Sequence, residues 1–304
     1  MRTRFRGITN REGLLLRGEV GWAEFSPFWD YDAAESRAWL DAAVDSADHA
    51  WPQPLRERIP VNCTVPAVDA ERAYTIVRSS ACRTAKVKVA EPGQDRRTEI
   101  ARVEAVRDAL GPDGRIRVDA NGAWDVDAAV EAIRDLERAA SGLEYVEQPT
   151  AEVEDLAEVR RRVDVPIAAD ESIRRASDPM RVKRLGAADV AVLKVQPLGG
   201  VRECLRIAEE IGLPVVVSSA LETSIGIAAG VALAAALPEL PYACGLATTS
   251  LLTADTVTES LTPVDGALPV VRLGPKADLA DVRADDETAR RWQQRLAEVT
   301  NAEP

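Results

Sequence analysis

From about residue 60 to residue 250, short apolar runs alternate with charged segments that carry a helical period. The runs are Val61–Val65, Ala85–Val89, Arg115–Asp119, Leu143–Glu147, Pro166–Asp170, Val190–Lys194, Val215–Ser218 and Tyr242–Gly245, at intervals of roughly 25 residues. Each run is four or five residues long and rich in Val, Ile or Ala, which suits a strand buried on both faces. The intervening segments are long enough for a helix and a turn, as a crossover between parallel strands requires. Eight such repeats predict a modified TIM (β/α) barrel, with the short, glycine-containing Tyr242–Gly245 run as its weakest strand.

The flanks follow another rhythm. Leu14–Phe25 reads as a hairpin bent near Gly18, and Ala33–Ala50 has helical periodicity. Between them Ser26–Tyr31 is an aromatic loop, suited either to a local hydrophobic plug or to a lid over a ligand. After residue 252 the alternation stops; Val264–Leu268 reads as a turn and Asp285–Val299 as a final amphipathic helix. With no barrel partner left, this tail is expected to pack on the N-terminal piece. The predicted division is a small α+β capping domain from residues 1–59 plus 252–304, and a barrel catalytic domain over 60–251.

Composition narrows the function. A formal charge of −12 disfavours nucleic acid and anionic membranes as partners, and the longest apolar run, Ile225–Leu237, is too short to span a bilayer. The four scattered cysteines form no C-x-x-C pair, which fits reduced thiols and a cytoplasmic location. The single histidine, His49, ends the first helical stretch, where a surface role is expected. The sequence sets no oligomeric state. Of 38 basic residues only five are lysines: Lys86, Lys88, Lys183, Lys194 and Lys276. Arginine cannot serve as a base in a protein, whereas lysine can. Lys86 and Lys88 are two apart on one strand and so share a face, while Lys194 ends another strand. Adjacent ammonium groups are expected to lower each other's pKa, the setting a lysine base needs.

Strand C-termini build the active site in a barrel of this type. Three consecutive strands end in carboxylates: Asp119, Glu147 and Asp170. Converging anions call for a cation, and oxygen donors without Cys or His point to Mg²⁺. Lys88 and Lys194 flank this trio. Arg117, two residues before Asp119, shares its face and is expected to neutralise or orient a ligand beneath the metal.

Together these residues resemble the enolase superfamily. The resemblance rests on Lys86-Val87-Lys88, Asp119-Ala120-Asn121, Glu147, Asp170-Glu171-Ser172 and Lys194, and spans nearly the whole chain. It implies that the carboxylates hold Mg²⁺, that the metal takes a substrate carboxylate, and that a base removes the adjacent proton. The paired lysines point to the muconate-cycloisomerase-like branch. Gly21–Pro27, Pro60–Ala67 and Ser218–Gly226 look most similar to the o-succinylbenzoate synthase family. Dipeptide epimerases typically carry Asp-x-Asp at the eighth strand; Ala243–Thr248 has no acid here, so the substrate is expected to lack a free ammonium. The implied reaction is dehydration of 2-succinyl-6-hydroxy-2,4-cyclohexadiene-1-carboxylate to o-succinylbenzoate, a menaquinone precursor. Lys88 is the implied base, Lys86 its neighbour, and Lys194 the opposing cation. Ser218, Ser219 and Phe25 join Arg117 as expected substrate contacts. An N-acylamino acid racemase would use the same lysines, and a non-catalytic barrel is the other alternative. The first 60 residues are short for the family's cap, so cap strands are expected to be missing.

Overall fold

Strands covered by helices on their outer face and by one another within a barrel must be apolar along nearly their whole length. That requirement is met in the computed structural model, which describes residues 1–175 and 178–302. The cap opens with β1 (Leu14–Arg17), β2 (Trp22–Phe25) and α1 (Ala33–Asp48), followed by β3 (Arg58–Pro60). The alternation then runs β4 (Cys63–Val65), α2 (Ala70–Ser79), β5 (Thr84–Lys88), α3 (Arg96–Leu110), β6 (Arg115–Asp119), α4 (Val126–Ala140) and β7 (Tyr145–Glu147). It continues with α5 (Val153–Arg162), β8 (Ile167–Ala169), α6 (Glu171–Arg174), α7 (Arg181–Leu185), β9 (Val190–Leu193), α8 (Val201–Ile211), β10 (Val215–Val217) and α9 (Ser224–Ala236). The chain ends with β11 (Ala267–Pro269) and α10 (Asp286–Asn301).

Among the described residues, β4 to β10 form one seven-stranded sheet in sequence order, each neighbouring pair parallel. The expected eighth strand is reduced to Cys244 and Gly245, yet it closes the ring. Cys244 N donates to Pro60 O at 2.7 Å and Asn62 N to Cys244 O at 3.0 Å on one side. Gly245 N donates to Val217 O at 2.8 Å and Ser219 N to Gly245 O at 3.1 Å on the other. Glycine fits closely at this seam: a Cβ on Gly245 would lie 2.6 Å from Ser218 Oγ, so a larger residue would make Ser218 shift.

Aspartates at the helix starts explain where the outer helices begin. Asp69, Asp95 and Asp125 each accept a hydrogen bond from the backbone N–H three residues on, at 2.8 Å. Helix α9 differs, being apolar all round and buried over Ser224–Ala235, between the barrel and the cap.

Both chain ends meet in the cap. Strands β1 and β2 form an antiparallel ribbon with Leu14 opposite Phe25, and α10 lies on α1. Phe25, Phe28, Tyr31, Trp39 and Trp292 make a separate aromatic core there. Arg295 of α10 donates to Pro27 O, Phe28 O and Tyr31 O, tying the C-terminal helix to the aromatic loop. Strand β11 pairs antiparallel with β3, and Asp265 and Gly266 form the two-residue turn between Val264 and Ala267 that leads into β11. All four cysteines are free thiols, and no described helix is long and apolar enough to cross a membrane.

Candidate active site

Strand register sets the site. Lys88 lies opposite Asp119, and Asp119 opposite Glu147, so three ionisable groups stand at one level on β5, β6 and β7. Asp170 and Lys194 follow directly on β8 and β9. Lys86 Nζ reaches Glu147 Oε1 at 2.6 Å and Asp119 Oδ2 at 3.0 Å. Lys88 Nζ lies 2.6 Å from Asp119 Oδ2 and 2.6 Å from Asn121 Oδ1. Lys194 Nζ lies 2.6 Å from Asp170 Oδ2, whose other oxygen accepts from Arg174 Nε at 2.9 Å. These residues fall into two groups, Lys86–Lys88–Asp119–Glu147 and Lys194–Asp170–Arg174, linked through Asn121 Nδ2, which donates to Glu171 Oε1 at 3.2 Å, and Arg174, which also bonds Glu171. Lys86, Lys88, Asp119 and Lys194 line a common cavity with Ser218 and Ser219.

Burial and charge act against each other in this network. Burial pushes Asp119 up, but Lys86, Lys88 and Lys194 outweigh it and hold the carboxyl well below its usual range. Asp170 is likewise held low, with Arg174 and Lys194 overcoming burial. Glu147 goes the other way: burial and the charge of Asp119 raise it to about 7 despite Lys86. Burial lowers Lys194 despite Asp170. Lys86 corrects an expectation: burial pulls it down, but Asp119 and Glu147 raise it well above the ordinary lysine value. Its neighbours on the next strands, rather than Lys88, decide its charge.

Among the described residues no three Asp, Glu, His or Cys side chains are gathered to hold a metal, because each carboxylate turns an oxygen to an ammonium group. The donor chemistry still fits Mg²⁺: the strand-end donors are carboxylate oxygens, and Glu147 Oε2 is buried without a hydrogen-bond partner among the described residues.

Two expected substrate contacts lie elsewhere. Arg117 is fully buried, donating to Glu144 Oε2 at 2.5 Å, Asn62 Oδ1 at 3.2 Å and Ala243 O at 2.6 Å, with Tyr145 and Tyr242 against its guanidinium. It shares the face of Asp119, but two residues back along a strand is roughly 6–7 Å deeper in the barrel. Phe25 packs edge-on against Trp292 in the cap core, with ring centroids 6.0 Å apart, and does not line the cavity. His49 is exposed at the C-terminal end of α1.

Several contributors have no expectation attached to them. Gln148, fully buried with φ of 40°, accepts from Asp170 N at 2.9 Å and Ser172 N at 3.2 Å. It donates to Thr150 O at 2.9 Å and Ser172 Oγ at 2.7 Å, so it fixes the backbone that presents Asp170. Arg174 bonds Asp170, Glu171 and the hydroxyl of Tyr31, which links the aromatic loop to the site. Phe28 of that loop lines the cavity and also belongs to the cap core. The spacing of Asp170 and Arg174, one helical turn apart, is a legible sign for Arg174; Gln148 carries none.

Residues 1–47 match the enolase N-terminal domain-like model and residues 68–275 the enolase C-terminal domain-like model. The o-succinylbenzoate synthase of Thermobifida fusca is 64% identical over 298 residues, covering 98% of this chain and 92% of that one. That of Mycolicibacterium smegmatis is 54% identical over 293 residues, covering 96% and 90%. The chain belongs to the o-succinylbenzoate synthase family of the enolase superfamily. Solved structures similar to this member of the family include the L-Ala-D/L-Glu epimerase of Bacillus subtilis, with a TM-score of 0.64 and 27% identity, covering 73% of this chain and 65% of that one. The muconate cycloisomerase of Pseudomonas fluorescens has a TM-score of 0.64 and 30% identity, covering 74% and 63%.

Proposed function

We propose that this o-succinylbenzoate synthase family member is a hydro-lyase that converts 2-succinyl-6-hydroxy-2,4-cyclohexadiene-1-carboxylate to o-succinylbenzoate, with Mg²⁺ as cofactor, in the cytoplasmic branch of menaquinone synthesis. One observation carries the reading. Lys88 on β5 and Lys194 after β9 line one cavity, with the carboxylates of β6, β7 and β8 on the arc between them. Asp119, Glu147 and Asp170 are the residues that would hold Mg²⁺, which supplies positive charge to a substrate carboxylate as its neighbouring carbon loses a proton.

The chain's own groups do the rest. A free amine on Lys88 takes the proton from the ring carbon that bears the carboxylate. The resulting ammonium returns a proton to the hydroxyl leaving the adjacent carbon, so water departs and a C=C bond forms. Lys88 is then back in its starting state, and the ring is aromatic. Asn121 Oδ1 and Asp119 Oδ2 fix the Lys88 amine in place. Lys194, on the far side, faces the negative charge that develops on the substrate. Aromatisation makes the step downhill.

A continuous ultraviolet assay for the aromatic product, with and without Mg²⁺, tests this directly. Metal-dependent product formation is expected. Absence of product, with deuterium entering Cα of an N-succinylamino acid in D₂O, would establish the racemase alternative instead. Neither activity would leave a binding barrel.

A further inference from the structure

Before β1 the chain makes a two-residue turn over the site. Phe5 and Ile8 pair antiparallel, with N–H···O distances of 3.1 and 3.0 Å. Arg6 and Gly7 between them have φ of 50° and 75°. Two consecutive positive φ values belong to a type I′ turn, which glycine adopts freely and arginine only against steric resistance. The turn sets Phe5 and Arg6 into the cavity lining.

Arg6 differs from the other cations there. Lys86, Lys88, Lys194 and Arg174 are all engaged by Asp119, Glu147, Asp170 or Glu171. Among the described residues, Arg6 has one ion-pair partner, Asp30 at 3.5 Å, itself 56% exposed. Its guanidinium lies 4.1 Å from the centre of the Phe28 ring, and Arg11 lies 4.4 Å from the same ring. A guanidinium placed over an aromatic ring still has N–H edges to offer a carboxylate. Among the described residues, Arg6 is the lining cation not committed to the strand-end carboxylates.

Cavity size points the same way. The inner cavity holds about 50 Å³, and a second of about 330 Å³ adjoins it, bounded by Asn10, Arg11, Trp29 and Asp30. Arg6 and Phe28 line both. The inner space alone is far below the roughly 300 Å³ at which ligand pockets begin, and the room for an arm lies in the outer space.

We infer that Arg6 is the specificity residue for the second, distal carboxylate of a dicarboxylate substrate, whose flexible arm runs past Phe28 into the outer cavity. The identity of that substrate rests on the function proposed above. A second anionic group entering a chain of net charge −12 needs a local cation, and Ser218 and Ser219 offer only neutral donors.

The test measures binding of o-succinylbenzoate and of benzoate, which lacks the arm, by calorimetry with Mg²⁺ present, for wild type, Arg6→Met and Arg6→Lys. Turnover of the cyclohexadiene is measured on the same proteins. Arg6→Met is expected to weaken o-succinylbenzoate binding by about ten- to hundred-fold, leave benzoate unchanged and raise KM more than it lowers kcat. Arg6→Lys should recover part of the loss, with thermal midpoints unchanged in both variants. Equal weakening of both ligands, or of neither, overturns the assignment, as does a wild type that binds neither. Arm-dependent binding through Arg6 in a wild type that forms no aromatic product would sink the proposed reaction and leave the arm site standing; normal turnover with a neutral Arg6→Met would do the reverse.

Discussion

Replacing Gln148 by leucine is the sharpest test of how the metal-side carboxylates are presented. The substitution keeps much of the side-chain volume but removes an amide that makes four hydrogen bonds. Two backbone N–H groups, those of Asp170 and Ser172, lose their acceptor, and Asp170 is fully buried. Each buried donor left unpaired costs about 1–3 kcal/mol, so the variant should be about 2–6 kcal/mol less stable. That is a large share of the roughly 5–15 kcal/mol by which a protein of this kind stays folded. Urea unfolding followed by tryptophan fluorescence and by circular dichroism would read the loss. The released turn also carries Asp170 away from Lys194 and Arg174, so Mg²⁺ affinity and kcat should fall together. A Gln148→Leu protein within about 0.5 kcal/mol of wild type, the range of an ordinary surface change, would refute the reasoning.

A pH prediction comes from the cap–barrel junction. Burial, with the charge of Glu24 nearby, pushes Glu222 up to about 7. A carboxyl raised in the folded state binds its proton more tightly there, so its stabilising effect is complete below the unfolded pKa of about 4.3 and is lost as pH rises toward its folded value. Glu222→Gln should flatten the fall in stability across that window and be more stable than wild type at pH 8, by about 4 kcal/mol at most; an unchanged pH profile of the thermal midpoint would count against it. At the barrel seam, Gly245→Ala should destabilise by about 1–3 kcal/mol through its clash with Ser218. Adding Ser218→Gly should recover most of that loss in thermal denaturation, and a double variant no better than the single would rule out the clash.

Much of the fold follows from local pattern because the strands are short, apolar and regularly spaced. The strand-end order Lys88, Asp119, Glu147, Asp170, Lys194 is legible for the same reason: a parallel barrel places every strand end on one rim. Depth is harder to read. Alternation puts Arg117 on the face of Asp119, but only the neighbouring strands reveal that Glu144 and two tyrosines meet it lower in the barrel. The eighth strand is nearly invisible because two residues suffice to close the ring once Val61 and Ser218 stand on either side. Gln148 and Arg6 act across the fold: Gln148 on the next strand, Arg6 from a turn more than 80 residues before it. No periodicity within either segment marks them. The charge of Lys86 is set by Asp119 and Glu147, partners that strand alternation alone does not supply.

Lys88→Ala offers the most direct measurement. It removes the amine beside Asp119 and Asn121 while leaving all three strand-end carboxylates in place. Formation of o-succinylbenzoate should fall by at least about a thousand-fold, in line with loss of a group that both takes and returns the proton, while calorimetry still registers Mg²⁺ binding. Turnover near the wild-type rate in that variant would contradict the assignment of Lys88 as the base.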